Sequence, residues 1–340
     1  MVPVWDSIAN GKKLNTGRAI ERALLFQMDI PTLMTGYQGL REQAAWIDLS
    51  ARGKIRLEGE DRARLLHAMT TNDVQNLKPD HGCYAFFLNA QGRILGDVNI
   101  FSFEDSILLD TEPETRAKLY EHLDRYIIAD DVTLRDETDH LATISIEGPQ
   151  ATGALAQIGI LGPEVAYAAK VDQGWIVARA DTTGASGYLL IGPNTEKSAL
   201  LERLGAAGIP QATPEEARTV RLEHGRPRYG EEITERYLVQ ETNQMHAISF
   251  HKGCYLGQEI VERVRSRAQI HRILRKIEID SPTPPAAGTK LKAGDIDAGE
   301  IVSASYSEGL GKTVAMAYVR VPSAEPGTVL SVAAARAMVS

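Results

Sequence analysis

Apolar residues along this chain switch between alternate spacing and helical spacing many times. Ile55 and Leu57 share one side of an extended segment, which predicts a strand over 54–57. Leu65, Leu66 and Met69 form a stripe that predicts a helix over 60–69. Two strands are predicted over 84–88 and 93–103, around the turn Asn89-Ala90-Gln91-Gly92. Gly96 inside the second marks a bulge or a close backbone approach. A strand over 106–110 leads to a helix whose start is read from the capping-box spacing of Thr111 and Glu114, with Leu119, Leu123 and Tyr126 as its apolar face. Strands are expected again at 132–135 and 142–147, and the turn Gly148-Pro149 opens another helix. A strand pair is expected at 175–179 and 187–191, then a helix over 195–204. Thr213-Pro214-Glu215-Glu216 carries an N-cap, a proline at the first helical position and a glutamate at the third. This predicts a helix that holds Arg218, Arg221 and Glu223 and stops at Gly225.

The pattern changes after His271. A breaker-rich stretch, 281–288, precedes β-branched alternation at 299–304, 314–319 and 329–332, as expected of a small barrel or sandwich. A boundary near residue 275 divides the chain into 1–274 and 275–340. Before it, strands and helices lack a regular βαβ rhythm, so the expected class is α+β.

Composition narrows the function. With 43% hydrophobic and 24% charged residues the chain is globular, and its net charge of −8 argues against tight, general nucleic-acid binding. Its two cysteines, Cys83 and Cys254, suggest neither a metal-ligand pair nor a disulfide framework, and they fit a reducing compartment. No apolar run is long enough to span a membrane, and the opening MVPVWDSIANGKK lacks the character of a targeting signal, so a cytoplasmic protein is expected.

Several residues suggest chemistry, each beside a plainer reading. Cys254 follows Lys252 and precedes a helix expected from Gln258 with Ile260, Val261 and Val264 on one side. A thiol there is a candidate nucleophile, or else a small packing residue. Asp97 sits mid-strand among apolar neighbours and faces either a ligand or solvent. Tyr84 and Tyr188 stack on a ligand or belong to the core, and Asn72 contacts a ligand or caps a helix. Arg221 and Glu223 bind a ligand or pair with Glu216 and Arg218 on a helix surface. Arg263, Arg265, Arg267, Arg272, Arg275 and Lys276 form a docking patch or a solvated linker face.

The segment Lys252-Gly253-Cys254-Tyr255-Leu256-Gly257-Gln258-Glu259 resembles the signature of the YgfZ family of folate-binding proteins, relatives of glycine-cleavage aminomethyltransferase. Trp46-Ile47-Asp48-Leu49-Ser50, Thr71-Asn72-Asp73-Val74 with Gly82-Cys83-Tyr84, the stretch Gly92 to Asp97, Glu147-Gly148-Pro149 and the stretch Leu222 to Pro227 resemble further blocks of those transferases. The resemblance implies two interleaved α+β, ferredoxin-like lobes and a C-terminal β-barrel around a central channel for tetrahydrofolate. It implies a role for Asp97 and Cys254 in chemistry and for Asn72, Tyr84, Asp97, Tyr188, Arg221 and Glu223 in holding the folate. Two positions depart from the transferase pattern: Ala185 stands in Thr183-Gly184-Ala185-Ser186-Gly187-Tyr188 where they carry a glutamate, and the acidic doublet is reduced to Gly96-Asp97. The resemblance to the YgfZ branch implies, as the expected function, a folate-binding assistant in iron–sulfur cluster assembly or repair, supporting tRNA modification through cluster-dependent enzymes. Its partners would be assembly proteins or their clients. The alternatives are a tetrahydrofolate-dependent one-carbon transferase and a non-catalytic folate-sensing scaffold.

Overall fold

The protein is seen in a computed structural model that describes residues 34–267 and 270–340. The opening segment read above for targeting signals lies outside those residues, as does the side chain of Arg267. The described chain runs through α1 (Gly36–Glu42), β1 (Ala45–Asp48), β2 (Gly53–Glu58), α2 (Arg62–Met69), β3 (His81–Leu88), β4 (Ile94–Ser102), β5 (Ser106–Thr111), α3 (Arg116–Tyr126) and β6 (Thr133–Asp136). It continues with β7 (Leu141–Glu147), α4 (Ala151–Gln157), β8 (Ala169–Asp172), β9 (Trp175–Ala178), β10 (Gly187–Pro193), α5 (Lys197–Ala206), α6 (Pro214–Glu223) and α7 (Gln258–Arg267). Six strands follow: β11 (Arg272–Ile279), β12 (Lys290–Ala293), β13 (Ile296–Ser307), β14 (Lys312–Arg320), β15 (Val329–Val332) and β16 (Ala335–Val339).

These strands make two antiparallel sheets and a closed barrel. The first sheet has the order β3-β4-β5-β2-β6, and the second has the order β1-β7-β10-β9-β8. β1 precedes the whole first sheet in sequence yet pairs with β7, so the two lobes interleave. The six C-terminal strands close as β11-β14-β13-β12-β15-β16. The α+β class and the barrel are as the sequence led one to expect.

Side-chain alternation explains the layering. Ile55 and Leu57 of β2 pack with Leu65, Leu66, Leu119 and Leu123 of α2 and α3. Phe101 and Leu108 point to the other side of the same sheet and meet Ala178, Leu189 and Ile191 of the second. The lobes therefore share an apolar seam, which becomes polar towards β1 and the middle of β4. Gly96 lies at a register shift in the β3–β4 ladder, and a Cβ there would come within 3.1 Å of Thr115 and Leu119.

One expected helix start is corrected. A short 3-10 turn, Pro113–Thr115, precedes α3, and no side chain caps it. The Thr111 hydroxyl turns inward instead, donating to the Asp97 carbonyl at 2.6 Å and meeting the Thr115 hydroxyl at 2.7 Å. Glu114 is engaged by Arg228, and Tyr126 at the helix end is 41% exposed. At α6 the capping box forms in full: Thr213 accepts from the Glu216 backbone at 3.2 Å while Glu216 accepts from the Thr213 backbone at 2.8 Å. Because this cap sets the register in which α6 presents Arg218 and Arg221, Thr213→Ala is expected to lower unfolding stability by about 1 kcal/mol. Urea denaturation measures the loss, and an unchanged midpoint would refute the cap's contribution.

Candidate functional site

Where the lobes and α6 converge, they enclose a cavity of about 390 Å³, inside the range of roughly 300–1,000 Å³ usual for small-molecule sites. Its wall combines Ile47 of β1 with Leu49 and Arg52 after it, Tyr84 and Asp97 from the first sheet, Glu112, Asp181 and Thr183 from loops, Ala217 and Arg221 on α6, and Arg226, Arg228 and Glu231 beyond it.

Asp97 is the chemical centre of this wall. Strand alternation sends Val98 and Ile100 into the lobe core and Asp97 and Asn99 to the cavity side. In the antiparallel ladder Asp97 faces Phe86, which puts Tyr84 diagonally across from it on the same face. The Tyr84 hydroxyl donates to Asp97 Oδ2 at 2.7 Å, while the buried Oδ1 has no partner among the described residues. Burial and then the nearby Glu112 push the Asp97 carboxyl up to about 6, against the pull of the Tyr84 hydrogen bond and Arg52. Burial, reinforced by Asp97, raises Tyr84 far above its ordinary value, so the phenol keeps its proton and acts as a donor.

A lattice of ion pairs fixes the surroundings. Arg52 donates to the fully buried Asp110 from Nε and Nη2, each at 2.8 Å, and its Nη1 engages Glu112. Asn99 also donates to Asp110, at 2.9 Å. Arg228 joins Glu112 at 3.0 Å to Glu114 at 2.7 Å. Arg221 is held by Glu232 at 2.7 Å and by Glu231, which also binds Arg218. Arg221 thus belongs to a buried network that Arg218, itself partly exposed, joins through Glu231, and neither forms a helix-surface pair with Glu216. Breaking one such buried pair leaves an uncompensated charge, at a cost of about 3–5 kcal/mol.

With this geometry in view, comparison with known proteins is direct. The model of the GCVT N-terminal domain matches residues 9–252, and that of the glycine cleavage T-protein C-terminal barrel domain matches residues 272–340. The chain belongs to the GCVT family. An aminomethyltransferase of Rubrobacter xylanophilus is 29% identical over 290 residues, covering 83% of this chain and 78% of that one. The aminomethyltransferase of Streptomyces coelicolor is 27% identical over 311 residues, covering 85% and 82%. Among solved structures, glycine cleavage system aminomethyltransferase T from Bartonella henselae superposes with a TM-score of 0.82 at 21% identity, covering 89% of this chain and 86% of that one, which is a likeness of fold.

The structure of this GCVT-family chain gathers some of the sequence candidates at the cavity and leaves others elsewhere. Tyr84, Asp97 and Arg221 line it; Asn72, Tyr188, Glu223 and Cys254 do not. Tyr188 is core, packed against Gly162 with its hydroxyl 3.1 Å from that of Thr152. Glu223 ties α6 to α1 and the barrel, accepting from Tyr37 at 2.5 Å and Ser307 at 2.7 Å and pairing with Arg41 at 3.0 Å. Asn72 donates to the carbonyls of Tyr84 and His246 at 2.9 and 3.1 Å, linking β3 to the segment before the cysteine motif.

The motif itself is a loop clamped onto α2. Lys252 Nζ donates to the carbonyls of His67, Thr70 and Asn72 at 2.5, 2.6 and 2.7 Å, a cation set at a helix C-terminus. Its ammonium is committed to these carbonyls, so it is not the free basic neighbour that the sequence suggested for the thiol. Burial lowers it to about 8, offset in part by Asp73 and Cys83. Tyr255 is buried beneath it, 4.9 Å from Nζ to ring centre, and its backbone N–H is accepted by Gln258. Gly257 adopts φ +83°, and a Cβ there would come 2.7 Å from the Asn89 carbonyl. Gly253 and Cys254 are exposed, as is Glu259, which pairs with Arg263. The basic cluster is dispersed: Arg263 and Arg265 pair along α7, Arg272 binds Glu241, and Arg275 and Lys276 donate to the carbonyls of Ala324 and Glu223.

Arg52, Glu112, Asp181 and Arg226 were missed as site residues. The native Asp97 value near 6 exceeds the unfolded value of about 3.9. Native protein therefore takes up a proton between those limits that the unfolded chain does not, and the resulting stability is lost again as pH rises through 6. Acidification from pH 7 to 4 should stabilise wild type relative to Asp97→Asn by about 2 kcal/mol. Urea midpoints of both proteins across that range give the difference, and a constant gap contradicts it.

Proposed function

We propose that this cavity binds a reduced folate and that the chain transfers a one-carbon group with it, in the manner of an aminomethyltransferase. The observation that carries this reading is Asp97: a buried carboxyl with one oxygen bonded to Tyr84 and the other bare, in a cavity of small-molecule size. A carboxyl poised near 6 can accept an N–H at Oδ1 and exchange a proton close to neutral pH. A bound tetrahydrofolate supplies the nitrogens that carry the one-carbon unit. Tyr84 fixes the Asp97 rotamer, Glu112 keeps its affinity for a proton high, and Ile47, Leu49 and Ala217 exclude water. Ala185, where the transferases carry a glutamate, is buried and outside the cavity wall; Asp181 is the carboxyl that this stretch offers instead. The aminomethyltransferase relatives support transfer above the assembly role expected from the sequence.

A second, YgfZ-type reading adds iron–sulfur cluster assembly. Its support is the exposed Cys254 on a loop that Lys252 holds in place. One thiol does not hold a cluster that needs four ligands, so the contact would be transient and shared with an assembly protein or client. Under this reading Cys254→Ser fails to restore cluster-dependent enzyme activity in a deletion strain, and full restoration removes it.

Titration of tetrahydrofolate by calorimetry, with wild type, Asp97→Ala and Cys254→Ala, tests the leading reading. Loss of a charge-assisted bond predicts binding about 10–100-fold weaker in Asp97→Ala and unchanged in Cys254→Ala. Formation of methylene-tetrahydrofolate from an aminomethyl donor is the accompanying activity. Equal affinities in all three proteins would refute the placement.

A further inference from the structure

Five arginines reach the cavity: Arg52, Arg218, Arg221, Arg226 and Arg228. Four are matched by carboxylates, Arg52 by Asp110 and Glu112, Arg218 by Glu231, Arg221 by Glu231 and Glu232, and Arg228 by Glu112 and Glu114. Arg226 is the exception. Its guanidinium has the Tyr167 side chain as a hydrogen-bond partner and lies in the field of Asp181, but among the described residues no carboxylate is close enough to form an ion pair with it, although its planar fork is built for one. It lies over the Tyr84 ring, 5.8 Å from Cζ to the centre. The main chain at its root is fixed: the Arg226 N–H donates to the Arg221 carbonyl at 3.0 Å, and the Arg226 carbonyl accepts from Arg221 Nη1 at 2.7 Å. Burial opposes its charge, but Asp181, Tyr167 and Tyr84 keep it firmly protonated. Tyr84 thus stands between the bare Oδ1 of Asp97, beyond its hydroxyl, and a guanidinium over its ring that no carboxylate pairs with.

We propose that Arg226 binds a carboxylate of the cavity's ligand beside the Tyr84–Asp97 pair, so that the site selects a molecule carrying both an N–H group and a carboxylate. The inference rests on the folate reading only for the name of that molecule. The carboxylate belongs either to the glutamate of the folate or to a separate amino-acid donor of the one-carbon unit, and one series of measurements separates the two.

Calorimetry on wild type, Arg226→Lys and Arg226→Met uses three probes: tetrahydrofolate, 6-methyltetrahydropterin (which carries no carboxylate) and N-methylglycine, the last with and without tetrahydrofolate present. If the glutamate is the partner, Arg226→Met binds tetrahydrofolate about 10–100-fold more weakly and 6-methyltetrahydropterin as wild type does. If the donor is the partner, both pteridines bind normally and N-methylglycine binding falls by that factor. In either case Arg226→Lys keeps part of the affinity. Unchanged binding of every probe in both variants overturns the proposal, as does an equal loss of both pteridines in both variants. Wild type that binds N-methylglycine through Arg226 but neither pteridine would sink the folate reading and keep this one. Wild type that binds no probe overturns both.

Discussion

A carboxylate taken out of water needs donors for both its oxygens, and the wall of this cavity gives Asp97 a donor for only one. The rest of the site is arranged around that imbalance. Tyr84 answers Oδ2, Glu112 discourages ionisation, and Arg52 is turned away towards Asp110, so its charge only moderates the effect. A ligand with a donor for Oδ1 completes the set. The cost of leaving a buried acceptor unmade, about 1–3 kcal/mol, is what such a ligand would recover.

The same logic explains why the cavity stays open. Apolar side chains at a three-way junction would collapse onto one another, whereas paired arginines and carboxylates cannot be squeezed without unpairing. The barrel contributes from outside the cavity. Ser303 donates to the Glu232 carboxylate, the Tyr318 hydroxyl donates to the Glu232 carbonyl at 3.1 Å, and Arg218 reaches the Ala304 carbonyl at 3.0 Å. Through Glu232 these bonds steady Arg221, which in turn holds the Arg226 carbonyl. A domain with its own core thereby sets the position of the loop that closes the site.

Much of this was legible in the sequence where the signal was local. Alternation in β4 separated Asp97 from Val98 and Ile100, and the Thr213 cap announced α6 with Arg221 upon it. The misreadings share a cause: a periodic pattern tells which residues share a face but not what that face meets. Tyr188 occupies a good strand position on a face that packs against α4, and Glu223 lies on the side of α6 that meets α1 and the barrel. Thr111 and Glu114 had capping-box spacing, yet the buried Asp97 carbonyl competed for the hydroxyl and Arg228 for the acid. Arg52, Glu112 and Arg226 come from three separate loops, and nothing short of the fold brings them together. The cysteine motif could be recognised as a unit, but its attachment to the end of α2 depends on contacts some 180 residues apart.

The most direct test is a crystal structure of the protein grown with tetrahydrofolate. The account predicts the pteridine in the cavity beside Tyr84, with a ring N–H within hydrogen-bonding distance of Asp97 Oδ1. A folate bound elsewhere, or a cavity in which that oxygen stays bare at saturating ligand, would contradict it.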